Sequence, residues 1–123
     1  MTLEELYAMM GGNYERAKQI MKMDKLIDRY IRKLKNSSVD EKLSEACETM
    51  DGEKLFESAH ALKGVCANLG LDDLASKAET ITEEFRPGSS RTMSDEEVKA
   101  LLQQTLEQYQ KTLDCIGKYE QGS

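Results

Sequence analysis

Asp51-Gly52-Glu53-Lys54-Leu55-Phe56-Glu57-Ser58-Ala59-His60-Ala61-Leu62-Lys63-Gly64-Val65-Cys66-Ala67-Asn68-Leu69-Gly70-Leu71 reads as one helix with a marked start and stop. Asp51 is an N-cap residue, whose carboxylate can accept one of the backbone N–H groups left open in the first turn. Gly70 suits the C′ position, where the chain turns left-handed and a Cβ is penalised, and Leu71 beyond it can fold back onto the helix. Between them, from Gly52 to about Leu69, apolar residues recur at helical spacing.

Each residue turns the helix by about 100°. With His60 set at zero, Leu55, Ala59, Leu62, Cys66 and Leu69 fall between roughly 180° and 260°, which defines the buried stripe. Glu53, Phe56, Glu57, Lys63, Gly64 and Ala67 fall near zero. His60, the single histidine of the chain, is therefore placed mid-helix and facing solvent. A lone histidine on a helix is commonly plain surface or a satisfied core residue, so its neighbours decide the reading. Gly64 lies one turn on, within the helix, where glycine costs about 1 kcal/mol relative to alanine. It either admits close helix–helix packing or clears room for another protein beside the imidazole, and its angle favours the second. Ala67 keeps the next turn low. Lys63 is a surface neighbour of His60 at i+3. Its ammonium would attract an anionic group brought to the ring, and as a like charge it disfavours the imidazolium. Glu57 opposes that effect. It either accepts a ring N–H, turning the other nitrogen outward, or is, as Lys63 could equally be, ordinary solvated surface charge.

The same signals extend outward in both directions. Thr2-x-x-Glu5 is a capping box for a short helix to about Met10, ended by Gly11-Gly12, and Asn13 can cap Tyr14 to about Met21. Leu26, Ile27, Tyr30, Ile31 and Leu34 predict an amphipathic helix over 24–35. Ser38-x-x-Glu41 is a further capping box, opening a helix over about 38–50 with Val39, Leu43, Ala46, Cys47 and Met50 on one face. After Gly70, Leu74, Ala78, Ile81 and Phe85 stripe a helix over about 72–85. Arg86-Pro87-Gly88-Ser89-Ser90 opens a loop over 86–93. Ser94-x-x-Glu97 caps a long helix to about 118, with Val98, Leu101, Leu102, Thr105, Tyr109, Leu113 and Ile116 inward. The tail, 120–123, is expected to be flexible.

One proline in 123 residues leaves long helices unbroken, and the length suits one domain. The predicted fold class is all-α: an antiparallel up-down four-helix bundle over about 38–118, with additional helices over 1–35 in front. The helix at 24–35 is long enough to compete for a place among the four. A formal net charge of −6 disfavours nucleic acid and anionic membrane surfaces as partners and favours a soluble monomer. Three unpaired cysteines with one histidine make no usual zinc set, so neither metal nor cofactor is expected. The amino terminus lacks a basic stretch followed by an apolar one, so no signal peptide is predicted, and no run approaches the roughly 20 residues of a membrane span. The expected location is cytoplasmic.

His60-Ala61-Leu62-Lys63-Gly64, closed by Gly70, resembles the signature of histidine-containing phosphotransfer (HPt) domains. The run Leu71-x-x-Leu74-x-x-x-Ala78-x-x-Ile81 resembles the family's next helix. The strong likeness covers about 56–85. It implies that His60 is the phosphoacceptor, through an outward Nε2, that Lys63 supports the phosphoryl group electrostatically, and that Gly64 gives clearance. Phe56, Glu57, Gly64, Ala67 and Thr82 would meet the partner, Thr82 standing where many relatives place a polar residue. The implied partners are response-regulator receiver domains and a sensor kinase, often of the hybrid type. Mg²⁺ and most of the catalytic groups would sit on the receiver, which makes this chain a carrier and not an enzyme. The amino-terminal module of a chemotaxis-type kinase shares the bundle and the signature, and a plain helical interaction module would share the caps and stripes. Glu57-Ser58-Ala59-His60 also fits the Glu-x-x-His pattern of di-iron bundles, but a second such pair and an inward histidine are lacking.

Overall fold

The computed structural model describes residues 1–122, and these form seven helices with no strand. They are α1 (Leu3–Met10), α2 (Tyr14–Met21), α3 (Asp24–Lys35), α4 (Val39–Thr49), α5 (Gly52–Asn68), α6 (Asp72–Glu84) and α7 (Asp95–Gln121). α4 packs on α5, α5 on α6, α6 on α7, and α7 returns to α4, which closes a ring of four. The short connections Met50–Asp51 and Leu69–Leu71 make the neighbours they join antiparallel. α7 has 27 residues, about 40 Å of helix at 1.5 Å per residue. It is long enough to serve two layers: its contacts extend beyond the ring to α3 and α1, while α2 fills the space between α3, α1 and α5.

Most of the helix starts follow their sequence signals. Thr2 and Ser94 form complete capping boxes with Glu5 and Glu97, and Asn13 and Asp51 accept from the backbone N–H groups of Arg16 and Lys54. Ser38 departs from expectation: it precedes α4 with ψ at 19° and makes no side-chain cap bond. With the backbone out of the extended region, its hydroxyl is not directed at the first-turn N–H groups. Gly70 (φ 69°) closes α5 as anticipated: Leu71 N–H donates to Cys66 O at 2.9 Å and Gly70 N–H to Ala67 O at 3.2 Å, the paired bonds of a Schellman end. A Cβ at Gly70 would also lie 2.3 Å from Asn13 O, so glycine here serves the approach of α2 as well as the turn.

The core takes Leu6 and Tyr7 from α1, Ala17 from α2, Ile27, Ile31 and Leu34 from α3, and the predicted stripe of α5: Leu55, Ala59, Leu62 and Cys66, continued by Leu69. The Tyr7 hydroxyl donates to Leu69 O at 2.6 Å, pinning α1 to the end of α5. Polar residues enter the core where their own helix satisfies them: the Thr105 hydroxyl donates to Leu101 O at 2.7 Å and the Thr112 hydroxyl to Gln108 O at 3.0 Å. Burial pushes the Cys66 thiol up to about 12, so it stays a protonated apolar filler.

One further expectation is corrected. Tyr30 leaves the stripe of α3 and is 39% exposed, because α3 turns Ile27, Ile31 and Leu34 inward and α7 lies on that side. α7 continues as helix through Gln121, where Tyr119 is buried and donates to Asp28 at 2.6 Å, and Glu120 accepts from Lys35 at 2.8 Å. Ser123, the remainder of the predicted tail, lies outside the described residues. No helix of the described residues is long and apolar enough to cross a membrane.

Candidate functional site

His60 stands in the middle of α5 and is exposed. Side chains on a helix lean toward its N-terminus, so His60 reaches back over the residue one turn earlier. That residue is Phe56, and the two rings stack with centroids 5.7 Å apart and planes 9° from parallel. Phe56 is half-buried, which gives the imidazole a firm platform on one face. Among the described residues no hydrogen bond involves the ring.

Gly64 is exposed, and a Cβ built on it would meet nothing within 4 Å. Close packing within the chain therefore does not explain this mid-helix glycine; the space beside it is open. Ala67 continues the same strip, half-buried. Lys63 lies on the flank facing α6, where its ammonium is 3.3 Å from a Glu79 carboxylate oxygen. Its charge is thus already partly engaged. Glu57 is exposed on the opposite flank, with no hydrogen bond to the ring, so the ring-orienting option for it has no support in the geometry. It lines a groove between the α3–α4 region and α5, together with Tyr30, Lys33, Lys42, Ala61 and Val65.

Thr82 is a correction. It is 0% exposed, and its hydroxyl donates to Ala78 O at 2.7 Å inside α6. A side chain buried against the core with its only donor spent on its own helix cannot meet a partner. The helix turn that hides Thr82 instead brings out Glu79 and Glu83, one turn apart.

Arg86 is the residue the sequence reading passed over. Treated there as the opening of a loop, it stacks its guanidinium over the Phe56 ring, 5.5 Å from the centroid, and pairs with Glu83 through two bonds of 3.0 and 2.6 Å. Arg86 thereby becomes the second cation at the histidine's platform. The i, i+3 spacing of Glu83 and Arg86 allows a local ion pair, but only the packing of α6 on α5 carries it to Phe56. The Glu83 carboxyl is held below the usual range chiefly by the hydrogen bonds from Arg86, with smaller contributions from Lys63 and His60. Glu83 thus feels both cations and the imidazole. Among the described residues no group of three or more His, Cys, Asp or Glu side chains could hold a metal ion.

The site is thus an exposed imidazole on an aromatic platform, with open space one turn along and two cations on the α6 side. No curated protein and no solved structure matches the chain. A family model, that of the Hpt domain, matches residues 15–112 of the 123, from the start of α2 well into α7. Domains of that family carry phosphoryl groups on histidine in phosphorelays, in exchange with receiver domains and kinases, and are carriers rather than catalysts. With a match over most of its length and an all-helical bundle, the chain belongs to the Hpt domain family.

Proposed function

We propose that His60 accepts a phosphoryl group from a receiver-domain aspartate, or from a sensor kinase, and passes it to the aspartate of a response regulator. The observation that carries this reading is the exposed, unbonded imidazole of the chain's single histidine beside a glycine whose missing side chain leaves open space. In the transfer, the lone pair of the neutral ring nitrogen, Nε2 by family resemblance, attacks phosphorus. The P–N bond forms as the P–O bond to the aspartate breaks, and the carboxylate leaves with the electron pair. The other ring nitrogen keeps its proton. Mg²⁺ belongs to the receiver in this scheme. The chain supplies a positioned nucleophile, and Lys63 and Arg86 offset the incoming negative charge.

Docking of a receiver on this side is supported by an apolar surface that begins at Ala61, the residue after His60. Val65 is 40% exposed and Tyr30 39%; exposed Ala61 adjoins them along the groove, and Ile20, 43% exposed, lines a neighbouring hollow with the same two residues. Large apolar side chains grouped at the surface beside a reactive residue fit a partner-covered face. Phe56, Gly64 and Ala67 would form the near edge of that interface, with Glu57 at its rim.

The test is transfer from a phosphorylated receiver domain in the presence of Mg²⁺. One acid-labile phosphoryl group should appear on the wild-type chain and none on His60→Gln, whose circular dichroism and melting should match wild type. Label that resists acid, or that persists in His60→Gln, would overturn the assignment and leave a helical interaction module as the better account.

A further inference from the structure

Lys63, three residues from His60, and Arg86, over the Phe56 ring on which His60 stacks, are not idle in the resting protein. Lys63 is bound by Glu79 at 3.3 Å, and Arg86 by Glu83 through a fork of 2.6 and 3.0 Å. Glu79 and Glu83 are four residues apart on α6, so they stand one above the other on the face toward α5. Both are about half exposed, at 54% and 52%, and neither supports the core. We propose that these carboxylates are place-holders for the phosphoryl group: they occupy Lys63 and Arg86 until it arrives, and so set how readily His60 gives it up. This rests on His60 being the phosphoacceptor.

The physical basis is an exchange of partners. A phosphoryl group on the ring brings up to two negative charges to a point served by the same two cations. Lys63 and Arg86 can turn to it only by loosening their carboxylates, which are then left near a like charge. The resting state keeps its ion pairs and the phosphorylated state loses part of them. The phosphohistidine is thereby raised relative to an aspartyl phosphate on a partner, which favours onward transfer. Glu83 is the stronger of the two, because its pairing with Arg86 is bidentate and its carboxyl already senses both Lys63 and His60. Because these groups are solvated, the effect is modest: about a 2- to 5-fold shift in the transfer equilibrium for each carboxylate, as expected for exposed charges.

The experiment uses the full chain with a receiver domain phosphorylated by acetyl phosphate and Mg²⁺, and follows the ratio of phosphohistidine to aspartyl phosphate at equilibrium. Potassium phosphoramidate loads His60 from the other side, so that the ratio is approached from both directions. Glu79→Gln and Glu83→Gln should each move it toward phosphohistidine, and the double variant further. Glu107→Gln on α7, which removes the same net charge elsewhere, should not. The shift should shrink at about 1 M salt, where the Debye length falls to about 3 Å. Unchanged ratios, a shift toward the receiver, or an equal shift in Glu107→Gln would overturn the proposal while leaving His60 as a carrier. Failure of wild type to take label from either donor would overturn the carrier reading and this one together.

Discussion

An imidazole at the surface of a helix is free to sample several rotamers unless something holds it, and Phe56 is the residue that does so here. Stacked one turn back, it limits the ring on one face and leaves the edge toward Gly64 open. The conformational freedom lost on docking is reduced accordingly. Gly64 breaks a local helix rule with no packing reason within the described residues. Because a Cβ there meets nothing, Gly64→Ala should raise stability by about 0.5–1 kcal/mol through helix propensity alone. It should at the same time weaken transfer with a receiver by adding bulk at the interface. Urea melts and transfer kinetics on the same variant check both halves; a destabilised Gly64→Ala would show that the glycine serves internal packing after all. At this scale the spacing in the sequence placed His60, Phe56, Lys63 and Gly64 on one face, because rotation along a single helix is set by its own backbone. It misplaced Thr82, whose face depends on how α6 rolls against its neighbours.

Among the elements, the loop between α6 and α7 is held by one carboxylate. Glu84 has only 3% of its side chain exposed, and it accepts from Arg91 at 2.7 Å, the Thr92 hydroxyl at 2.8 Å, Thr92 N–H at 3.0 Å and Met93 N–H at 2.9 Å. Burial alone would raise its pKa. The hydrogen bonds from Met93, Arg91 and Thr92 outweigh that and bring it down to about 2. An unfolded glutamate titrates near 4.3, so the folded state binds this proton less readily. The stabilisation from Glu84 is therefore complete above about pH 5 and drains away as pH falls toward 2. Glu84→Gln should be less stable than wild type at pH 7, with the gap closing by pH 2.5 in denaturant titrations. A constant gap across that range would remove the carboxylate from the acid response. Nothing in the run Arg86-Pro87-Gly88-Ser89-Ser90 announced this clamp, because Glu84 finds its donors only after the chain has reversed. The capping boxes at Thr2 and Ser94, by contrast, were legible, since their partners lie three residues away.

At the scale of the molecule, α7 joins the bundle to the front layer. Its last turns hold α3 through Tyr119 and Asp28, the Arg32 guanidinium lies 5.3 Å from the Tyr119 ring centroid, and Lys35 pairs with Glu120. Tyr119→Ala should cost about 3 kcal/mol, as expected for removing a buried aromatic side chain. It should leave phosphorylation of His60 intact in the folded fraction, because α5 and α6 form the site without it. A urea midpoint equal to wild type would mean that the front layer is held from elsewhere.

What the amino-acid order determined by itself was local: where each helix starts and stops, which stripe of it is apolar, and that the one histidine stands opposite the stripe of its own helix. Those features depend on caps and spacings within a few residues, so their energies can be read before the chain folds. The tertiary structure decided which helix rolls against which. That choice buried Thr82, left Tyr30 in the open, and carried Glu79, Glu83 and Arg86 from α6 and its end to the flank of α5. Contacts between helices depend on the rotation and offset of whole packed elements, and no single residue's neighbours along the chain encode them.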